Sequence, residues 1–380
     1  MTLQDEPWVD AEPGANAVAV EVLRHGPISR SEIARRLRLS PGSITRLSAP
    51  LVERGLIVET SALSEGRAGR PSKPLDVVPE SRHFVGIKLT GDHAEGILTD
   101  LRTAPHATHA TALRSTGVTD AVDAIVELVD DLSDPDRPTV GVGIAVGGRV
   151  QDGVVTSAPF LGWSDVPLAR LLEERLKIDV TVENDLLALT AEEHWFGAGR
   201  DLDRFAVVTV GAGVGYGLVA HGEIVANADS GLGLVGHWPV EPFGPMCPEG
   251  HRGCARAVLT TAAIEGNVSA AFGAAVTYAD AIQMAEDGQP AARRVVDEAV
   301  RGLGRLLAAI GNLTVPQRIV LGGEGVRMVE IAREALREGI AEARDPRASE
   351  LEVVMIAADN EDWCRGAAAV AIQRYVNRQA

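Results

Sequence analysis

The sequence predicts an α/β protein with a winged helix-turn-helix at its N-terminus, and three observations carry that prediction. Residues 15–82 read as short helices with strong cap and turn signals, followed by an Arg- and Gly-rich segment. From residue 83 onward, short apolar strands alternate with glycine turns and helices, the pattern of strands joined by crossovers in two α/β lobes with a cleft between them. Charge is segregated along the same boundary. Residues 15–78 hold 10 Lys and Arg against 6 Asp and Glu, residues 1–14 hold 4 acidic residues and no basic one, and residues 79–380 hold 26 against 43. A basic head on an acidic body suits a nucleic-acid binder whose body repels non-specific contact.

The first helix is expected from Ala15 to His25, with Val18, Val22 and Leu23 inward, ended by Gly26-Pro27. Ser29 stands three residues before Glu32, a capping-box start for a helix Arg30–Leu37 with Ile33, Ala34 and Leu37 inward. Ser40 caps a third helix, and Pro41 takes its first position, where a missing N–H costs nothing. That helix places Ile44, Leu47 and Leu51 on one face and Ser43, Thr45, Arg46 and Ser48 elsewhere; Pro50 is a candidate bend. Gly55 ends it, and Leu56–Val58 reads as a strand. Ser43, Thr45 and Arg46 are the expected major-groove contacts, Arg being suited to a bidentate bond with guanine. The wing is read from Glu65 to Lys73, with Arg67 and Arg70 placed to enter a narrow minor groove; an exposed basic linker is the alternative.

In the body, Phe84–Leu89 and Glu95–Thr99 read as paired strands, Val118–Leu132 as an amphipathic helix, and Val140–Val146 as a buried strand. Val166–Leu176, Asp179–Val182 and Asp185–Phe196 follow as helix, strand and helix. Phe205–Val210 runs into a glycine-rich turn, Gly211–Gly217. Strands Arg318–Leu321 and Glu352–Ile356 and a helix near Cys364–Tyr375 complete the reading. Such glycine turns are weak phosphate-loop signals taken alone.

At 380 residues and 46% hydrophobic, the chain is long for one domain and has no apolar run near the ~18 residues of a membrane span. Its acidic N-terminus lacks a signal-peptide pattern, and three cysteines make no disulfide framework, so a cytoplasmic setting without membrane association is expected. His237, Cys247 and Cys254, joined by Gly- and Pro-containing spacers, form the kind of N/S ligand set a structural zinc uses. Glu249 and His251 are both candidates for the fourth position, and a metal-free loop with two reduced thiols is the alternative.

Several motifs, in order, resemble the ROK family of bacterial sugar kinases and sugar-responsive repressors. These are Gly141–Gly148, Gly162-Trp163 with Val166-Pro167-Leu168, Glu183-Asn184-Asp185, the Gly211–Gly217 turn, and Gly236-His237 with the Cys pair. The winged helix and its Gly-Arg-Pro wing match the repressor branch. The resemblance implies an actin-like (ribonuclease H-like), two-lobed body over residues 83–380 for effector binding and oligomerisation, behind an acidic tail (1–14), a winged helix-turn-helix (15–66) and a wing and linker (67–82). It also implies dimers or tetramers with paired DNA-binding heads. By position, Asp185 is the general base of the family kinases and Asn184 a sugar contact; a carboxylate there equally fits a hydrogen-bond acceptor. His237 is expected to touch both metal and ligand.

The chain departs from the kinase pattern at the positions that serve phosphate and metal. Lys88 replaces the acid of the first phosphate loop, and Ala212 and Tyr216 replace a Thr and a Gly of the second. Phe160, Leu234 and Arg256 replace polar sugar contacts, and Glu249 replaces one of the family's three zinc cysteines. The expectation is therefore no phosphoryl transfer, with Asp185 vestigial. The body would sense a sugar, or through Arg256 a more anionic derivative, and the head would bind a double-stranded operator. An active kinase with a DNA-binding head and a ligand-independent DNA-binding dimer are the rival readings.

Overall fold

A computed structural model describes residues 13–61, 73–356 and 360–377. The chain divides into two compact units, Met1–Phe196 with Trp363–Ala380, and Gly197–Asp362.

The first unit opens with α1 (Pro13–His25), α2 (Arg30–Leu37) and α3 (Pro41–Glu53), then β1 (Ile57–Glu59) and β2 (Leu75–Val77). Local chemistry sets the helix ends. The Ser29 hydroxyl accepts from the Glu32 N–H at 3.2 Å and the Ser40 hydroxyl from the Ser43 N–H at 3.1 Å, each satisfying an orphan donor of a first turn. Ile33, Ala34, Ile44, Leu47 and Leu51 are buried as their spacing requires. Ser48 departs from expectation: it is buried, its hydroxyl turned back to the Thr45 carbonyl at 3.4 Å. α3 continues through Pro50 to Glu53. Strand β2 lies in the segment read as linker, pairs antiparallel with β1, and carries the head's hydrogen-bonded structure to Val77. Arg67 and Arg70 fall outside the described residues, as do most of the acidic tail and most of the wing.

The body of this unit continues with β3 (His83–Leu89), β4 (His93–Thr99), β5 (Pro105–Ala112), α4 (Val118–Leu132) and β6 (Thr139–Val146). Then come β7 (Arg149–Gln151), β8 (Val154–Ala158), β9 (Trp163–Val166), α5 (Leu168–Leu176), β10 (Val180–Asn184) and α6 (Asp185–Trp195). One sheet has the order β10-β6-β3-β4-β5, with β3, β6 and β10 parallel and the β3-β4-β5 meander antiparallel; β7, β8 and β9 form a second sheet. The helix expected from Val166 begins at Leu168, because Trp163–Val166 is claimed by pairing with β8. Strand β5 escaped the sequence reading because most of its side chains face solvent and its residues are polar or small.

The second unit carries β11 (Arg204–Val210), β12 (Val214–Ala220), β13 (Glu223–Ile224), α7 (Ala255–Leu259), α8 (Thr261–Phe272), α9 (Tyr278–Glu286) and α10 (Pro290–Thr314). It closes with β14 (Ile319–Gly322), α11 (Val326–Ile331), α12 (Arg333–Ala343) and β15 (Val353–Met355). Its sheet order is β13-β12-β11-β14-β15, parallel across β11, β14 and β15. The expected turn Gly211–Gly217 is shorter: Val214 already pairs with Val210, so only the Gly211-Ala212-Gly213 segment turns, and Gly215 and Gly217 lie in β12. The apolar stripe of α10, from Val296 through Leu303 to Ile310, is the spine of this unit's core.

The last helix, α13 (Asn360–Asn377), belongs with the first unit from Trp363 on and lies directly on the β3 and β6 backbones. A Cβ at Gly143 would stand 1.8 Å from the Ala367 carbonyl oxygen, and one at Gly86 would stand 2.0 Å from that of Cys364. Only glycine permits this approach. The head shares a core with the same body. Val18, Val22, Leu23, Ile57 and Leu75 cluster with Phe84, Val140, Trp195, Ile372 and Tyr375. Arg102 then reaches across: its guanidinium donates to the carbonyls of Leu23 at 2.9 Å and Val22 at 3.0 Å and to Asp76 at 2.5 Å.

Gly143→Ala is expected to lower stability by about 1–3 kcal/mol or more by overpacking against backbone that cannot yield. Gly266→Ala in α8, where an added Cβ meets nothing within 4 Å, should be neutral or slightly stabilising. Urea unfolding of the two variants checks this, and equal stabilities would contradict the packing account.

Candidate functional site

Helix α3 buries Ile44, Leu47 and Leu51 and thereby turns Thr45 and Arg46 to solvent, with Ser43 half-buried beside them. Two of the three polar groups are drawn into the first turn: Ser43 Oγ lies 2.9 Å from Ser40 Oγ, and the Thr45 hydroxyl donates to the Pro41 carbonyl at 3.1 Å. This is an exposed polar and basic helix face in the second position of a helix-turn-helix.

Asn184 and Asp185 stand where β10 becomes α6, so the pair is set by the strand's hydrogen bonds and the helix start. Asn184 is the N-cap: its side-chain oxygen accepts from the Leu187 N–H at 3.1 Å, and its amide donates to the Gly148 carbonyl at 2.7 Å. Asp185 Oδ1 accepts from the Leu186 N–H at 2.8 Å. Its Oδ2 accepts from the ammonium of Lys88, a buried residue of β3. Lys88 also lies over the Trp363 ring, 4.7 Å from its centre. The carboxylate that the family resemblance makes a general base is therefore already neutralised by a lysine within the same unit. Phe160, 66% exposed, borders this place; Cβ atoms built at Gly91 and Gly147 would meet the Phe160 backbone and ring, and the latter also Asp185 Oδ2.

In the second unit the turn Gly211-Ala212-Gly213 meets a carboxylate that sequence reasoning missed. Glu324 follows β14, and its Oε1 accepts from the Ala212 N–H at 2.7 Å. A Cβ at Gly211 would fall 2.2 Å from that carboxyl carbon, so Gly211 is required for the acid to reach the turn. The donor is a backbone N–H of the kind a glycine turn would offer to phosphate, and here the protein supplies its own anion. The Gly322-Gly323-Glu324-Gly325 run was the available signal. The Tyr216 hydroxyl, nearby in β12, is pushed up by burial, and that of Tyr278 is pushed up to about 12 by burial and the Glu324 charge.

The third place is the loop between Leu234 and Ala255. The Cys247 N–H donates to the His251 carbonyl at 2.9 Å, closing a turn that Gly250 completes at φ 87°. The turn brings His251 back to Cys247, with Sγ to Nδ1 at 3.5 Å, while His237 Nδ1 lies 3.9 Å from the same sulfur. Donor atoms of His237, Cys247 and His251 all fall within 4.8 Å of one another. Cys254 is buried and hydrogen-bonds with Cys247; burial pushes its thiol up. Glu249 turns instead to Arg256, whose guanidinium donates to it at 2.5 Å. Desolvation raises that carboxyl, but Cys247 and Arg256 outweigh it and hold it below the usual range. Of the two candidates for the fourth position, His251 is the one gathered with His237 and Cys247. Asn184 and Asp185 belong to the first unit, His237 and Arg256 to the second. Cys364, buried against the sheet with its thiol on the Glu95 carbonyl, is a packing residue.

Together these features define a winged-helix protein on an actin-like, sugar-kinase-type body. The chain belongs to the ROK family, whose model matches residues 84–374, and a MarR family model matches residues 20–67. It is 31% identical over 337 residues to the DNA-binding transcriptional dual regulator NagC of Escherichia coli, covering 83% of this chain and 82% of that one. A solved ROK family transcriptional regulator, a homolog of the E. coli Mlc protein, superposes with a TM-score of 0.80 at 23% identity over 95% of both chains. A ROK glucokinase from Streptomyces griseus, solved with glucose and AMPPNP, superposes with a TM-score of 0.67 at 24% identity, over 77% of this chain and 99% of that one. The regulator likeness extends through the head; the glucokinase likeness spans only the share of the chain that the body occupies.

Lys88→Met takes the cation from Asp185 in a partly buried place, and should cost about 1–3 kcal/mol of stability. Adding Asp185→Leu should restore most of it. A denaturation series over the two single variants and the double variant reads the coupling; no loss in Lys88→Met would remove the ion pair from the account.

Proposed function

We propose that this protein is a DNA-binding transcriptional regulator of carbohydrate-related genes, acting as a repressor, whose body senses a sugar or sugar derivative without phosphorylating it. The observation that carries the reading is α3, which presents Thr45 and Arg46 to solvent, with Ser43 half-buried beside them, on a helix-turn-helix within the chain's basic segment. Arg46 serves as the base-reading side chain, and Arg67 and Arg70 as the wing's minor-groove contacts. Support comes from the likeness to NagC and from two further relatives, the E. coli repressor Mlc and the xylose repressor of Bacillus subtilis. Two heads are needed to read a palindromic site, so the working form is a homodimer or a dimer of dimers.

Charge opposes phosphoryl transfer at both places. Transfer needs a free base at the sugar hydroxyl and cationic or N–H groups on the phosphates. Asp185 is held by Lys88, and the Ala212 N–H is taken by Glu324. A cation stands where the base must accept a proton, and an anion where phosphates would lie. Asp185, partly exposed, serves as a hydrogen-bonding contact to an effector's hydroxyls. Asn184, expected as a second contact, is buried with its amide committed to Leu187 and Gly148, and acts by holding Asp185 in place.

The histidine–cysteine loop fits zinc. Tetrahedral bonds of about 2.3 Å to sulfur and 2.0–2.1 Å to nitrogen place S and N about 3.6 Å apart, and the observed separations are 3.5 and 3.9 Å. His237, Cys247 and His251 would hold the ion, with Cys254 beside them; Glu249 is engaged by Arg256. Zinc would act there as a structural cross-link of the loop.

Genomic fragments selected by the purified protein and sequenced test the reading, with Arg46→Ala as control. A short palindromic site enriched by wild type and lost in Arg46→Ala, with the fold intact, is the expected result. No enrichment at moderate salt would refute it.

A further inference from the structure

We propose that Glu80, His83 and His106 form a second cation site, for a divalent first-row transition ion such as zinc or nickel, where the linker from the winged helix enters the first sheet. Nothing in the effector or DNA reading requires it. Nε2 of His83 and Nε2 of His106 each lie 3.4 Å from the same oxygen of Glu80. Ligand atoms bonded at about 2.0–2.2 Å around a tetrahedral ion stand about 3.3–3.6 Å apart. All three donors fall within 4.8 Å of one another.

Two irregularities in the sheet aim these side chains. The β3–β6 register shifts between His83 and Phe84. On β5, Pro105 pairs with Thr99 and Ala107 with Leu98, so His106 is the extra residue of a bulge. Bulges redirect side chains and recur beside functional sites. Phe84 pairs with Thr99, which puts both irregularities at one end of the sheet. There the linker turn Pro79–Ser81 is held by a bond from the Leu101 N–H to the Pro79 carbonyl, at 3.2 Å, and so delivers Glu80.

His83 Nε2 shares a 3.4 Å hydrogen bond with Glu80 Oε2, but His106 is left without one. His106 Nε2 is buried and has no hydrogen-bond partner among the described residues, its approach to Glu80 lacking hydrogen-bond geometry. The two rings meet edge-on with centres 5.3 Å apart, both largely enclosed, while the Glu80 side chain is 59% exposed and leaves an entry path. An enclosed ring nitrogen without a partner is costly, and coordination satisfies it. Two imidazoles and one carboxylate suit zinc, nickel, cobalt or copper; magnesium and calcium prefer all-oxygen sets. A bound ion would fasten the linker turn to β3 and β5, three residues beyond the end of β2, and stiffen the path from the head into the sheet.

The test uses the full-length protein, stripped with chelator and dialysed against limiting zinc or nickel, with bound metal measured by elemental analysis. Cys247→Ser silences the histidine–cysteine loop, so that the two sites are counted separately. One equivalent lost in both Glu80→Gln and His106→Gln, with Cys247 intact, is expected. The metal-induced rise in unfolding temperature seen in Cys247→Ser should also vanish when Glu80→Gln is added. Glu80 is at the surface, so this variant keeps the fold even if His106→Gln does not. Metal content and thermal shift unchanged in Glu80→Gln would overturn the proposal. So would a stability difference between the variants that depends on pH and not on added metal, which would mark a plain histidine–carboxylate pair.

Discussion

The grip of Arg102 on the end of α1 is the interaction through which the head and the first sheet become one folded body. A helix leaves its last carbonyls short of partners, and here a guanidinium roughly 80 residues away in sequence takes that of Leu23, shares that of Val22 with the Gly26 N–H, and also holds Asp76 of β2. Around it the apolar face of α1 packs with Phe84, Trp195 and Tyr375 in a single core. Arg24 adds a bond to the His194 carbonyl at 3.1 Å, and burial followed by the Arg24 charge holds the His194 imidazole down at about 4, neutral at physiological pH. The head is thus built into the unit that carries Lys88 and Asp185. The Asp185 carboxylate and the reading helix thus belong to one packed unit, the kind of connection that coupling a ligand to DNA binding would require.

In the proposed function, two charges turn a phosphoryl-transfer scaffold toward binding. Lys88 brings a cation onto the would-be base, and Glu324 brings an anion onto the glycine turn. Each is supported locally: Lys88 by the Trp363 ring, Glu324 by the absence of a side chain on Gly211. Neither changes the fold, because one sits within a strand and the other just after one. Fold and chemistry therefore separate cleanly, and the same sheets serve kinases and regulators alike.

Much of this was legible in the chain. The cap at Ser29 and the limits of α2 and α4 followed from local rules, since capping and helical periodicity are short-range. The charge reversal at Lys88 could also be read, but not its partner, because Lys88 and Asp185 meet only through the sheet. Glu324 was hidden for the same reason: its role is set by a turn more than 100 residues earlier. Strand β2 is only three residues long and gave no periodic signal, and β5 has a solvent-facing, polar pattern. His251 over Glu249 in the loop depends on a turn at Gly250 and on Arg256, neither of which ligand spacing encodes. His83 and His106 were invisible as a pair because register breaks in two strands aim them.

The account's central claim is that the body binds without phosphorylating. Release of ADP by the purified protein, measured with magnesium ATP across a panel of hexoses, N-acetylated hexosamines and pentoses, tests it most directly. No sugar-dependent release above background, from protein that still selects its operator, is what the Lys88–Asp185 and Glu324–Ala212 contacts predict. Turnover that depends on a sugar and disappears in Asp185→Asn would contradict it and make the protein a kinase with a DNA-binding head.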